Sequence, residues 1–157
     1  MTLKIIQPEI GIKGEYRLRV EKGIDLAHRL YGYSGKCKNL HGHRFYFEIE
    51  IYLDNFNREV GISIDFTEIK KILKQLDHAV ILFKEDPLYK YLKENYKKLD
   101  IDRSKIIGLD GNPTAENIAE FVVNNIESKK VSPHIANIFV TVYETPSNSF
   151  SMWYSKE

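Results

Sequence analysis

Strict alternation of apolar and polar residues over one ten-residue stretch constrains the fold of this chain more than any other feature. Between residues 44 and 53 every second side chain is apolar, namely Phe45, Phe47, Ile49, Ile51 and Leu53. Successive side chains of a strand point to opposite faces of a sheet, so a period of two is typical of a strand with one buried face. The stretch therefore predicts a long strand whose inner face belongs to the core.

The same alternation extends upstream into a His-Gly-His sequence. If the strand begins at His41, then His41 and His43 lie a few ångströms apart on one face. Two neutral imidazoles held that close are a preformed pair of metal ligands. His28 can supply a third ligand, because it lies at the end of a preceding segment that can pair with this strand. Three histidines and an open position are typical of a catalytic zinc site, and other first-row metals suit the same ligands.

Cupins suggest an alternative kind of site, because they combine a His-x-His pair with a following glutamate. The glutamate at the matching position is Glu48, which has the opposite parity to His41 and His43. It would face the same metal only if a β-bulge interrupted the strand. The three-histidine site is therefore the favoured hypothesis.

Cys37 is the only cysteine and lies four residues before His41, between Lys36 and Lys38. Nearby positive charge favours the thiolate form of a cysteine and makes it usable as a base or nucleophile. The ordinary alternative is an inert, buried thiol. Its position beside a metal ligand makes Cys37 a candidate catalytic residue.

Three other places carry candidate residues with ordinary alternatives. Asp77 and His78 end a predicted helix, where a histidine also interacts favourably with the helix dipole. Glu144 is in phase with aliphatic residues of a predicted strand, so it is either a buried carboxylate awaiting a ligand or a strand end in solvent. Thr114 and Glu116 begin another predicted helix, where capping is the alternative to substrate binding.

The remaining pattern mixes helices and strands without a regular β-α-β rhythm. Helices are predicted at residues 66–76, 86–97 and from 113 to about 126. Strands are predicted at residues 3–6, 16–20, 61–65, 106–109, 135–144 and 150–154, with 61–65 as the hairpin partner of the long strand. This order indicates an α+β fold with an antiparallel sheet.

Length and composition narrow the class of protein. The 157 residues are expected to form a single domain, 1–157. A formal net charge of +1, with Lys and Arg spread along the chain, gives no indication of a nucleic-acid partner. One cysteine excludes an internal disulfide, and the sequence shows neither a signal peptide nor an apolar run long enough for a membrane helix. A cytoplasmic protein without a membrane partner is therefore expected.

Six short motifs occur in the order typical of one known family and span residues 16–154. They are His28-Arg-Leu, Cys37-x-x-x-His41-Gly-His43, Gly61-Ile-Ser-Ile-Asp65-Phe, Leu76-Asp77-His78, Asn112-Pro-Thr-Ala-Glu116-Asn and Tyr143-Glu144-Thr-Pro. Each motif alone is weak, but together they resemble the 6-pyruvoyltetrahydropterin synthase / 6-carboxytetrahydropterin synthase family. The three-residue gap between Cys37 and His41 resembles the 6-carboxytetrahydropterin synthase branch, which serves queuosine and deazapurine biosynthesis.

The resemblance implies a fold, an assembly and a substrate. The fold would be the tunnelling fold, an antiparallel four-stranded sheet with helices packed on one face. Three subunits would join their sheets into a barrel, and two barrels would stack as a homo-hexamer. The substrate would be 7,8-dihydroneopterin triphosphate, and the product 6-carboxy-5,6,7,8-tetrahydropterin, with loss of acetaldehyde and triphosphate. Related branches make 6-pyruvoyl or 6-hydroxymethyl pterins, and a pterin-binding protein without turnover is the alternative outside enzymes.

The resemblance also implies roles for individual residues. Cys37 would accept a proton, His78 would act as a relay acid and base oriented by Asp77, and Glu144 would grip the N–H edge of the pterin. Zinc would be bound by the residues that match the family's ligands, His28, His41 and His43. The chain departs from the family pattern at residues 24–27, and the segment 79–111 is longer than in the shortest members.

Overall fold

The computed structural model describes residues 16–55 and 58–156. The strands are β1 (Tyr16–His28), β2 (His41–Leu53), β3 (Ala79–Phe83), β4 (Ile106–Leu109), β5 (Ile135–Thr145) and β6 (Asn148–Ser155). The helices are α1 (Phe66–Leu76), α2 (Pro87–Asn95) and α3 (Ala115–Ser128), with short 3-10 turns at Lys36–Lys38 and Arg103–Lys105. The α+β class predicted from the sequence is confirmed.

The strands form one six-stranded sheet in the order β4-β3-β1-β2-β5-β6. Pairs β1–β2, β2–β5 and β5–β6 are antiparallel, whereas β1–β3 and β3–β4 are parallel. The expectation of a four-stranded, antiparallel sheet was therefore wrong. The four antiparallel strands are present, but β3 and β4 extend the sheet beyond β1 in the parallel sense.

Strands β1 and β2 form the centre of the sheet and pair without interruption over 13 positions, from Tyr16 opposite Leu53 to His28 opposite His41. Helices α1 and α3 pack against one face of the sheet. Their buried residues join the inward-facing residues of β1, β2 and β5 in one core, which includes Ile24, Phe45, Phe47, Ile72, Val122 and Val140. The sheet's inner face is therefore apolar along most of β2 and turns to histidine only at the start of that strand.

Two parts of the sheet differ from the prediction for physical reasons. Residues 61–65 form no strand, because both edges of β2 are already occupied by β1 and β5. Strand β3 was not predicted, because Ala79–Phe83 is a short continuous apolar run without alternation, as is common for strands in parallel pairing. The predicted strand at residues 3–6 lies outside the described residues.

The helix ends follow their capping residues. The side chains of Asp65, Asp86 and Thr114 each accept a hydrogen bond from a backbone N–H in the first turn of α1, α2 and α3. Helix α3 consequently begins at Ala115, two residues after Pro113, and α2 ends at Asn95 rather than near residue 97. In the part of the chain that the structure describes, no helix combines the length and apolarity required to span a bilayer.

Candidate metal site and adjoining cavity

Three histidines converge at the inner face of the sheet where β1 ends and β2 begins. His28 and His41 are directly paired across the two strands, and His43 follows His41 by two residues. Their ring centroids lie 4.6 to 5.5 Å apart. Phe45 forms the floor of this cluster, with its ring 5.3 Å from that of His28 and 6.0 Å from that of His43. The alternation of β2 thus brings the predicted ligands together above the apolar core.

Backbone carbonyls fix the tautomers of two of these rings. His28 Nδ1 lies 2.7 Å from the carbonyl oxygen of Pro113, and His41 Nδ1 lies 2.7 Å from that of Asn39. A carbonyl only accepts, so each Nδ1 must carry the hydrogen, and in a neutral ring Nε2 then carries a lone pair. Ligating histidines are commonly oriented in this way. Both rings therefore direct an acceptor nitrogen into the cluster.

Glu144 completes the cluster from strand β5. Its Oε1 lies 3.3 Å from His28 Nε2 and 3.8 Å from His43 Nε2. One potential ligand atom from each of the three histidines and Glu144 lies within 4.8 Å of the others. A bound divalent cation fits this set, because three imidazoles and a carboxylate are ligands that zinc prefers.

The His28 side chain provides the clearest test of that fit. It is 2% exposed, and its Nε2 is buried without a hydrogen-bond partner among the described residues. Burial, foremost, and the neighbouring histidines lower the pKa of His28, although the Pro113 carbonyl and Glu144 oppose this shift. A neutral His28 therefore turns a lone pair toward a carboxylate, an arrangement that a cation between them stabilises.

A cavity of about 270 Å³ adjoins the cluster. It brings together five of the residues singled out from the sequence: His28, Cys37, Thr114, Glu116 and Glu144. Its other lining residues were not predicted and are Leu30, Ala115, Asn148, Ser149 and Phe150. Larger grooves of about 570 and 450 Å³ lie between the helices and β4, but no candidate residue lines either of them. The smaller cavity thus joins two members of the cluster, His28 and Glu144, to the Cys37 thiol.

Thr114 lies at a position compatible with both roles considered for it. Its hydroxyl accepts the N–H of Asn117 at 3.4 Å and so caps α3, while the residue also lines the cavity. Glu116 lies in the first turn of the same helix, where a carboxylate is favoured by the dipole, and it too lines the cavity. Capping and access to a ligand are therefore compatible here.

Asp77 and His78 lie apart from this cavity within one chain. The His78 backbone N–H donates to the Asp25 carbonyl, three residues back from His28 along β1, a separation of about 10 Å for an extended strand. His78 Nδ1 lies 3.3 Å from Asp77 Oδ1, and the His78 side chain is 77% exposed. Its φ of 58° is a conformation that residues other than glycine adopt rarely, most often in turns and at functional positions. The acidic partner of His78 is therefore present, but neither residue lines the cavity that contains Cys37.

The Asp77 carboxylate is held in its charged form. Burial alone would raise its pKa, but the Asp25 N–H, which donates to Oδ1 at 3.1 Å, and the neighbouring His78 lower the pKa overall. The charged Asp77 carboxylate lies beside Nδ1 of His78 and orients that ring.

A buried ion pair beside His28 was not predicted. Asp86 is completely buried and accepts from Arg29 Nε at 2.7 Å and from Arg29 Nη2 at 2.5 Å. The sequence identified Asp86 only as the N-cap of α2, a role it also fulfils toward Leu88. The pair ties the residue after His28 to the segment between residues 79 and 111.

The glutamate of the cupin alternative faces away from the cluster. Glu48 lies 3.3 Å from Arg19, a residue of the opposite sheet face from His28, and β1–β2 pairing shows no bulge from His41 to Leu53. Glu144, rather than Glu48, supplies the carboxylate near the three histidines.

Comparison with known proteins gives a consistent picture. The profile of the family described as 6-pyruvoyl tetrahydropterin synthase matches residues 17–155. A protein of Haemophilus influenzae named 6-carboxy-5,6,7,8-tetrahydropterin synthase is 31% identical over 140 residues, which cover 85% of this chain and 95% of that protein. A protein of the same name from Rickettsia felis is 37% identical over 133 residues, covering 79% and 90% of the two chains.

Solved structures share the fold at lower sequence identity. The 6-pyruvoyl tetrahydropterin synthase of Plasmodium falciparum superposes with a TM-score of 0.63 at 24% identity, covering 90% of this chain and 99% of that one. The corresponding enzyme of Plasmodium vivax gives a TM-score of 0.62 at 22% identity, covering 92% and 100%.

Proposed function

The chain belongs to the 6-pyruvoyl tetrahydropterin synthase family, and we propose that within this family it is a zinc-dependent lyase making 6-carboxy-5,6,7,8-tetrahydropterin. The substrate would be 7,8-dihydroneopterin triphosphate, which would take up one water molecule and lose acetaldehyde and triphosphate, as a step of queuosine and deazapurine biosynthesis. The observation that carries the proposal is the cluster of three histidines and Glu144 beside the cavity that contains Cys37, a cavity that His28 and Glu144 both line. The names of the 31–37% identical relatives favour this product over a 6-pyruvoyl pterin.

The metal ligands in this proposal are His28, His41 and His43. Zinc bound there supplies Lewis acidity toward the oxygen atoms of the substrate side chain, which makes the neighbouring C–H bonds more acidic. His28 and His41 hold their acceptor nitrogens toward that position through the Pro113 and Asn39 carbonyls. The protein therefore has little reorganisation to perform when the substrate arrives.

Cys37 and Glu144 act on the substrate in the adjoining cavity. Cys37 accepts a proton from the side chain of the pterin. Because Cys37 and Glu144 line the same cavity, both can act on one substrate molecule. Glu144 accepts hydrogen bonds from the N–H edge of the ring, because an ionised carboxylate offers two oxygens for paired donors. Thr114 and Glu116 provide further polar contacts to the substrate from the start of α3.

The proposal assigns His78 to a neighbouring subunit's site. In one chain His78 does not line the cavity with Cys37, and its side chain is largely exposed beside Asp77. A homo-hexamer built as a dimer of trimers would allow the His78 of one copy to donate a proton in the cavity of the next. Mixing Cys37→Ala and His78→Ala subunits tests this, because hybrid assemblies would regain part of the activity lost by each variant alone.

Product identification is the central experiment. Zinc-loaded protein is incubated with 7,8-dihydroneopterin triphosphate, the pterin product is identified by mass spectrometry, and acetaldehyde is measured. The proposal expects 6-carboxytetrahydropterin and one acetaldehyde per turnover. A 6-pyruvoyl product without acetaldehyde would assign the chain to the other branch, and tight binding without turnover would support a binding protein.

The Cys37→Ala variant tests the assigned base. It should lose turnover while retaining zinc and the ability to bind the pterin, and His41→Ala should lose zinc. A Cys37→Ala protein that released acetaldehyde at the normal rate would refute the role given to the thiol.

A further inference from the structure

Asn112 makes a two-point contact with the backbone of a loop 81 residues away. Its Oδ1 accepts the N–H of Tyr31 at 2.7 Å, and its Nδ2 donates to the Tyr31 carbonyl at 3.0 Å. A carboxamide that pairs with both groups of one residue fixes that residue in two directions, as a neighbouring strand would. Asn112 therefore fastens the loop that follows β1 to the loop that precedes α3.

Asn112 is itself held in place from the first turn of α3. Its carbonyl accepts from Asn117 Nδ2 at 2.7 Å and from the Thr114 N–H at 2.8 Å. Asn117 packs so closely against Gly111 that a Cβ at that position would approach Asn117 Nδ2 to 2.7 Å. The contact with Tyr31 thus originates from a rigid helix end rather than from a free loop.

In each of the two loops joined by Asn112, the residue next to the contact belongs to the site. Leu30, beside Tyr31, lines the cavity and donates its N–H to the Cys37 carbonyl at 2.8 Å. Pro113, beside Asn112, provides the carbonyl that fixes the His28 ring. One side chain therefore links the segment bearing the thiol to the segment that orients a metal ligand.

We propose that Asn112 is a positioning residue that sets the distance between the Cys37 thiol and the metal centre. The inference rests on the proposed function, in which Cys37 acts on a substrate beside the metal. The hydrogen bonds between Asn112 and Tyr31 do not themselves depend on turnover. A displacement near 1 Å of a catalytic group lowers rates by up to about 100-fold. Loss of the Tyr31 contact should therefore lower kcat far more than it changes KM or zinc content.

The test uses zinc-loaded protein with Asn112→Ala and the isosteric Asn112→Asp. The aspartate retains the acceptor toward the Tyr31 N–H but turns a second carboxylate oxygen toward the Tyr31 carbonyl, so it should lose at least as much activity as the alanine variant. Asn95→Ala is the matched control, because Asn95 Nδ2 donates locally to the Tyr91 carbonyl on α2. We expect kcat to fall about 10- to 100-fold in Asn112→Ala, with KM within threefold and one zinc per chain.

A second measurement requires no substrate. Cys37 is the only cysteine, so iodoacetamide labelling reports on it alone. Bound zinc should change the labelling rate of the wild type at least threefold, because a cation bound beside the thiol alters its reactivity toward the reagent. In Asn112→Ala that factor should fall to less than half, and Asn95→Ala should behave as wild type.

The outcomes separate the two proposals. An inactive wild type with the expected labelling pattern would refute the proposed function and leave the positioning role of Asn112 supported. Equal zinc-dependence of labelling in wild type and Asn112→Ala, no zinc-dependence in the wild type, or a kcat loss explained by lost zinc would overturn the positioning role.

Discussion

Removing Arg29 should expose the cost of burying Asp86 without its partner. Asp86 is completely buried, whereas the Arg29 side chain is 26% exposed. Arg29→Met preserves much of the side-chain volume and removes both hydrogen bonds to the carboxylate. Removing one partner of a buried ion pair lowers the unfolding free energy by about 3–5 kcal/mol. Because water has partial access to the Arg29 position, we expect a loss at the lower end, about 3 kcal/mol.

The expected loss corresponds to a clear change in thermal unfolding. For a chain of this size, 1 kcal/mol shifts the unfolding midpoint by about 2–4 °C, so Arg29→Met should melt about 6–12 °C below wild type at pH 7. The double variant Arg29→Met with Asp86→Asn should recover most of this loss, because asparagine still caps α2 and carries no charge. Lys84→Met is the control, since its bridge to Asp110 is exposed and should contribute little.

The effect should also depend on pH with a definite sign. Burial alone would raise the pKa of Asp86, but Arg29 and the Leu88 N–H outweigh it and lower the pKa below its ordinary value of 3.8. In the wild type this contribution to stability is complete above pH 3.8 and is lost as the pH falls through the lower folded value. In Arg29→Met burial dominates and the pKa of Asp86 rises, so protonation relieves the penalty between neutral pH and pH 4.

The assay is thermal or urea unfolding of chelator-treated protein, which removes any contribution from bound metal. The difference in unfolding free energy between wild type and Arg29→Met should narrow from pH 7 to pH 4. A difference that stays constant over this range, or a double variant no more stable than Arg29→Met, would refute the argument.

Three further variants test the site and the core beneath it. Glu144→Gln should keep zinc, measured by metal analysis, and raise KM at least tenfold; loss of the metal would instead make Glu144 a ligand. In metal-free protein, His28→Gln should reduce the fall in unfolding free energy that occurs as the pH drops. The lowered pKa of His28 makes its contribution to wild-type stability complete above pH 6.5, and this contribution is lost as the pH falls below that value. A urea midpoint that depends on pH in the same way in both proteins from pH 7.5 to 5 would contradict this. Phe45→Ala should cost about 3–5 kcal/mol and weaken zinc binding, because the buried ring supports His28 and His43; calorimetric titration with zinc at wild-type affinity would argue against that support.

The parts of the site that follow local periodicity were predictable from the sequence. The parity of β2 placed His41 and His43 on the face of Phe45, and the structure has them there. The approach of His28 to His41 was expected, although β1 continues to His28, well beyond the strand predicted at residues 16–20. These features depend on a few neighbouring residues and on the two-residue period of a strand.

The parts that depend on distant register were not predictable. The approach of Glu144 to His28 requires that β5 pair with β2 so that Tyr143 lies opposite Tyr46. The Arg29–Asp86 pair likewise joins residues 57 positions apart, and nothing in the local sequence around either residue indicates its partner. Strand β3 pairs in parallel with β1 only after the chain has passed through α1, so no local pattern marks its place.

The shared face of His43 and Phe45 has a consequence for how β2 can change in evolution. The proposed metal ligands and the core residues follow one another at every second position of one uninterrupted strand. A single-residue insertion between them would turn either the ligands or the phenylalanines toward the opposite face, whereas an insertion of two would keep both in phase. Length variants of β2 among natural homologues should therefore differ by even numbers of residues, and odd changes should persist only with a compensating bulge.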